Sequence, residues 1–142
     1  MSIRGQIQSQ IVTCMKSRDQ KRLDAFRFLL AQIKYREIDA KRELTDEEAI
    51  KLLQGEAKKR RESIAVYRQG GRTDLADKEQ SELAIIEEYL PKQLTDVEIE
   101  TIIAEVKSAN PNGDFGTLMK AVMVKVAGRA DGGKVAKIIQ TG

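Results

Sequence analysis

Apolar residues recur along this chain at steps of three and four, the spacing of one helical face, in seven blocks separated by capping and turn residues. Ile3, Ile7, Ile11 and Cys14 form the stripe of a first helix. Asp19 opens a second, longer helix that runs to about Glu43. Its first stripe is Leu23, Phe26, Leu30 and Ile33; a second side carries Phe28, Ala31, Tyr35 and Ile38, with Arg27 and Lys34 projecting between them. A helix apolar on two sides is expected to be central and to touch neighbours on both.

Leu44-Thr45-Asp46-Glu47-Glu48 is a start signal, with Thr45 and Glu48 at the two positions of a capping box. The third helix carries Ile50, Leu53, Ala57, Ile64 and Tyr67 on one stripe and stops at Gly70-Gly71, where a left-handed cap costs little. A fourth helix follows Thr73-Asp74, with Leu83, Ile86 and Leu90 inward and Glu79, Glu82, Glu87 and Glu88 mostly outward. It ends at Tyr89-Leu90-Pro91, because the residue before a proline resists helical geometry. Thr95 and Glu98 repeat the box ahead of a fifth helix that buries Ile99, Ile102, Ile103 and Val106, and Leu94 can staple to Ile99. Asp114 caps a sixth helix holding Leu118, Met119, Val122, Met123 and Val126, closed by Gly128. Asp131 caps a short seventh with Val135, Ile138 and Ile139. The fold class predicted is all-α: an N-terminal four-helix domain over residues 1–90 and a small three-helix tail over residues 91–142.

Composition narrows the chemistry. Aromatics are 4%, Pro is 2 and charged residues are 33% of the 142, which favours helices over a sandwich or barrel. The chain has no His and one Cys, so it has no imidazole base, no Ser-His or Cys-His pair, no internal disulfide and no cysteine-built zinc site. Cys14 lies on the first apolar stripe and reads as a buried, inert thiol. The carboxylate pairs Asp46-Glu47-Glu48 and Glu87-Glu88 are explained by capping or by a solvated face, so no catalytic residue, metal or cofactor is assigned. The longest apolar run is Phe28-Leu29-Leu30-Ala31, far short of a membrane span. Met1 to Arg18 lacks acids and holds Arg4, Lys16 and Arg18, a faint transit-peptide signal set aside because the same residues read as an ordinary core-facing helix, and a cytoplasmic protein is expected.

Charge is segregated. Arg4 to Arg42 holds ten basic and four acidic residues, net +6; Glu56 to Arg72 is net +4; Thr73 to Glu105 is net −8; Asn110 to the end is net +3. Two basic clusters follow. On the third helix Lys58, Arg61, Arg68 and Arg72 make a coherent stripe, a secondary nucleic-acid candidate for which pairing with the acids of the fourth helix is the favoured reading. Arg60 falls within the apolar stripe and is expected to be snorkelled or paired. In the tail, Gly128-Arg129-Ala130-Asp131-Gly132-Gly133 lacks the lysine and spacing of a P-loop but makes a clear turn into a helix start, flanked by Lys120, Lys125 and Lys134. A helix N-terminus favours phosphate; Asp131 would satisfy the same amides and repel it. A structural turn and a binding turn stay equally open on these residues alone.

Several segments together resemble the YqeY family. They are Leu29 to Ile38, Leu44-Thr45-Asp46-Glu47-Glu48, Arg60-Arg61-Glu62-Ser63-Ile64, Gly71-Arg72-Thr73-Asp74-Leu75 and Tyr89-Leu90-Pro91-Lys92-Gln93-Leu94. In the tail they are Met119-Lys120-Ala121-Val122-Met123 and Gly128-Arg129-Ala130-Asp131-Gly132 with Val135. The resemblance implies an all-helical fold ending in the tail domain shared with GatB, a component of the glutamine-dependent aspartyl/glutamyl-tRNA amidotransferase, where that tail helps to hold tRNA. The catalytic and metal-binding part of GatB has no counterpart here, so carbon–nitrogen ligase activity with glutamine as amido donor ranks last. The reading that leads is an RNA-binding module. Its partner is tRNA or a tRNA-handling complex, and its candidate residues are Lys120, Lys125, Gly128, Arg129, Gly132, Gly133 and Lys134. No DNA sequence specificity and no membrane partner are expected. The alternative is a helical protein–protein adaptor.

Overall fold

The structure is a computed structural model that describes residues 2–141. Seven helices follow one another: α1 (Ile3–Ser17), α2 (Gln20–Ala40), α3 (Asp46–Gln69), α4 (Thr73–Glu87), α5 (Asp96–Ala109), α6 (Phe115–Val126) and α7 (Gly132–Thr141). No strand occurs among the described residues, and the protein is all-α. The chain groups into two compact units, the first ending at Leu90 and the second starting at Pro91.

In the first unit α1 packs on α2 and α3 on α4. The core takes Ile7 and Cys14 from α1, Phe26, Leu29 and Ile33 from α2, Leu53 and Ala57 from α3, and Leu83 and Ile86 from α4. The α3 start is set locally. The Thr45 hydroxyl accepts from the Glu48 amide (3.2 Å) and the Glu48 carboxylate accepts from the Thr45 amide (3.1 Å). Arg42 adds two hydrogen bonds to the same carboxylate (2.7 and 2.9 Å). Those Arg42 bonds, then the Thr45 amide, hold the Glu48 carboxyl down at about 2.

Three expectations need correction here. The helix α2 stops at Ala40, not Glu43, because Lys41 takes a left-handed conformation (φ 57°) and Glu37 accepts from the Leu44 amide (3.0 Å), turning the chain early. Leu29, not Leu30, is the fully inward residue of that turn. The second apolar side of α2 is left largely uncovered, with the Arg60 guanidinium of α3 against Phe28: Phe28 is 42%, Tyr35 66% and Ile38 71% exposed. The helix turns its opposite face to the core, so this side faces outward.

Arg60 is paired as expected, and its partner is a buried acid. Glu56 is 7% exposed and accepts from Arg60 Nη1 (3.0 Å). Arg60 Nε lies 3.3 Å from Glu82 of α4, off the line of a hydrogen bond, and the guanidinium sits 5.2 Å over the Phe28 ring. At the C-terminal cap of α4, Arg22 reaches Glu88 through two bonds (3.3 and 3.0 Å). The helix α4 itself unwinds after Glu87 through amide bonds from Tyr89 to Ile86 and from Leu90 to Glu87, ahead of Pro91.

The second unit is a three-helix cluster around Leu94, Ile99, Ile103, Val106, Val122, Val126, Val135 and Ile139. Thr95 and Glu98 form the expected box. Asp114 caps α6, accepting from the Thr117 amide (2.8 Å), and that bond lowers its pKa. One detail differs from the expectation. The residue that caps the C-terminus of α6 is Ala127 (φ 50°), with Gly128 following at φ 78°, so the left-handed turn spans two residues.

Candidate nucleic-acid interface

The candidate site is the turn that joins α6 to α7. Its backbone is positive in φ at Ala127 and Gly128, a conformation that favours glycine at position 128. Asp131 then starts α7 by accepting from the Lys134 amide (3.2 Å). Gly133 stands where an added Cβ would come 3.0 Å from that Asp131 carboxylate. Gly132 has more room: a Cβ there would make ordinary contacts with the methyl ends of Met123 and Met119. The glycines therefore serve the cap and the turn, and the anion position at the α7 N-terminus is filled by Asp131.

Arg129 fixes the turn to the start of α5. Its amide donates to Val126 (3.0 Å), its carbonyl accepts from the Leu94 amide (2.9 Å), and its Nε donates to the Lys92 carbonyl (2.8 Å). Lys134 Nζ pairs with Asp96 in the first turn of α5. Residues 92–96, 129 and 134 thus meet where α5 and α7 begin. Arg129 is half-buried and makes no ion pair among the described residues, so its two terminal amino groups keep their charge uncompensated by a bonded carboxylate. Glu98 lies within reach of its field. The Thr95 amide and hydroxyl lower the Glu98 pKa most, with Arg129 and Lys92 adding to the effect.

The other predicted residues are dispersed. Lys125 makes a long, exposed contact with Glu105 (3.7 Å), of a kind that contributes little. Lys120 is exposed and, five residues from Lys125, points about 140° away from it around α6. The structure brings Arg129, Lys134 and the glycines together and leaves Lys120 on another face. Lys92, which in the sequence stands only at a domain boundary, joins the cluster. Its signal is its place in the Tyr89-to-Leu94 segment that carries the family resemblance.

The α3 stripe is partnered largely as expected. Arg61 meets Glu87 (3.3 Å) and Arg68 meets Asp77 (3.8 Å), both acids of α4, and Lys58 is exposed on the same helix; Arg72 departs from the expectation, because α3 ends at Gln69 and Arg72 stands at the start of α4, meeting Asp74 two residues on (3.3 Å). Among the described residues no three His, Cys, Asp or Glu side chains gather as metal ligands, and no helix is long and apolar enough to cross a membrane.

These features define an all-helical protein of two compact units whose second unit presents a pinned basic turn. The chain belongs to the YqeY family: residues 4–142 match the family described as Yqey-like protein. It is similar to two fungal proteins described as altered inheritance of mitochondria protein 41, mitochondrial. That of Lachancea thermotolerans is 30% identical over 128 residues, covering 85% of this chain and 68% of the relative. That of Pyrenophora tritici-repentis is 30% identical over 139 residues, covering 94% and 77%. An uncharacterized protein of Schizosaccharomyces pombe is 27% identical over 96 residues, covering 68% and 78%.

Proposed function

We propose that the protein is a non-catalytic accessory module that holds an RNA backbone, tRNA in the first instance, through residues 91–142 acting as a domain of their own. The observation that carries this reading is Arg129. Its side chain is oriented by one bond to a backbone carbonyl, and its charged end is left free beside Lys92 and Lys134. A guanidinium held this way is prepared for a phosphate, because little of its rotamer freedom is left to lose on binding. Phosphate meets these cations outside the helix ends, since Asp131 already accepts from the Lys134 amide and Glu98 from the Thr95 amide. The resemblance of the tail to a tRNA-holding domain points the same way. Cytoplasm is the compartment expected from the sequence; the names of two relatives say mitochondrial, and both compartments contain tRNA.

The test is a salt series of tRNA binding with the full chain. Arg129→Gln keeps a donor for the Lys92 carbonyl and removes the charge. It is expected to weaken binding several-fold and to lower the salt slope by about one. Different tRNAs should weaken almost equally, since phosphate contacts position without specifying sequence. Lys125→Ala should act in the same direction. No tRNA binding at low salt, or an Arg129→Gln protein that binds as before, would remove the reading. The adaptor reading is favoured by a separate observation, the outward apolar side of α2.

A further inference from the structure

The helix α2 has a core face and, opposite to it, a line of Phe28, Ala31, Tyr35 and Ile38 at steps of three, four and three. This line extends about 15 Å along the axis, close to three turns. Its three large side chains are 42–71% exposed. One flank carries Arg27 and Lys34, seven residues apart, so they rise in step with the apolar line, and Lys41 follows at the left-handed cap that ends the helix. None of the three makes an ion pair among the described residues, whereas the α3 stripe is met by α4. An exposed apolar line with an unanswered row of one charge is the pattern of half a helix–helix interface.

The charge row decides the occupant. A second copy docking antiparallel through the same line would set each flank against its own equivalent, cation facing cation. A parallel copy would set Arg27 against Gln32 and Lys34 against Asp39, so that one carboxylate answers the row. An RNA strand would meet the cations but also Ala31 and Ile38, whose aliphatic surfaces offer no stacking platform.

We propose that this face of α2 docks an amphipathic helix of another protein, one that carries an apolar line of three to four turns and a flank of Asp or Glu. The apolar contacts supply the area, and the Arg27–Lys34–Lys41 row sets orientation and selects against basic partners. This inference rests on the first unit and is independent of the RNA reading.

The test uses the nitrogen-15-labelled full chain and two synthetic helical peptides with the same leucine line, one flanked by Glu and one by Lys. The Glu peptide should shift the backbone signals of residues 27–41, with affinity falling as salt rises, and should bind at least tenfold more tightly than the Lys peptide. The double variant Arg27→Glu, Lys34→Glu should reverse that preference, and Ile38→Asp should abolish both. All three positions are solvent-exposed, and circular dichroism verifies the fold of each variant. The proposal is overturned if neither peptide moves these signals or if both bind alike. It is also overturned if sedimentation shows a dimer dispersed by Ile38→Asp, or if an oligouridine shifts the same residues at lower concentration than the Glu peptide.

Discussion

Glu56 is the residue with most to lose. It is a buried carboxylate whose charge is matched by Arg60, itself reaching toward Glu82. Glu56→Ala leaves a largely buried guanidinium short of a partner and is expected to cost about 3 kcal/mol in chemical denaturation. Replacing the pair together, Glu56→Leu with Arg60→Met, should recover most of that loss, because apolar side chains of similar volume can substitute for a buried ion pair. If the double variant is no more stable than the single, the pair has another role. Glu48 gives a different signature. Its folded pKa of about 2 lies below the ordinary 4.5, so its contribution is complete above the unfolded value and is lost as pH falls from about 4.5 toward 2. Thermal melts across that window should fall more steeply for the natural chain than for Glu48→Gln. Parallel curves would show that Arg42 and Thr45 do not hold the carboxylate in solution.

At the scale of the helix, α3 tests how far propensity alone acts. Gly55 sits on its solvent face with nothing within 4 Å of where a Cβ would go. Gly55→Ala should therefore stabilise the first unit by about 0.5–1 kcal/mol, read as a raised melting temperature. A loss of stability would mean that the bare backbone there is already in use. The elements were legible because their causes are local. The Thr45–Glu48 and Thr95–Glu98 boxes close within four residues, and the stripe of Ile3, Ile7 and Cys14 is a period of one helix. The second side of α2 was misread because apolar spacing states which residues share a face and says nothing of whether a neighbour exists to cover it. The exchange of Leu30 for Leu29 has the same origin, since adjacent leucines bracket the same edge of a stripe and packing chooses between them. The Arg129 bond to Lys92 has no signature in residue type or spacing. It joins a side chain to a backbone carbonyl 37 residues away, and a carbonyl is present at every position.

Among the described residues, part of the segregated charge of the sequence resolves into pairing, with Arg61 and Arg68 of α3 meeting α4 acids and Lys125 and Lys134 meeting α5 acids, while the outer face of α2 and the turn at Arg129 carry cations without an ion pair. The two units also differ in depth of core. The second rests on nine small and medium aliphatic side chains, and a core of that size supplies only a few kcal/mol. Ile99 is fully buried there, so Ile99→Ala is expected to cost about 2–5 kcal/mol. Hydrogen exchange should then show amides of residues 96–139 unprotected while those of residues 23–33 stay slow. Loss of protection in both would show that the units unfold together. The clip at Arg129 has a mechanical side. The chain entering at Pro91 is fastened at Lys92 by a side chain and at Leu94 by a backbone bond. Tension applied at Pro91 loads these fastenings one after the other, as in peeling, and the Lys92 bond bears it first. A pull on the connection would detach the guanidinium from its carbonyl before it disturbed α5, so that force on the chain, with no ligand present, changes how firmly Arg129 is aimed.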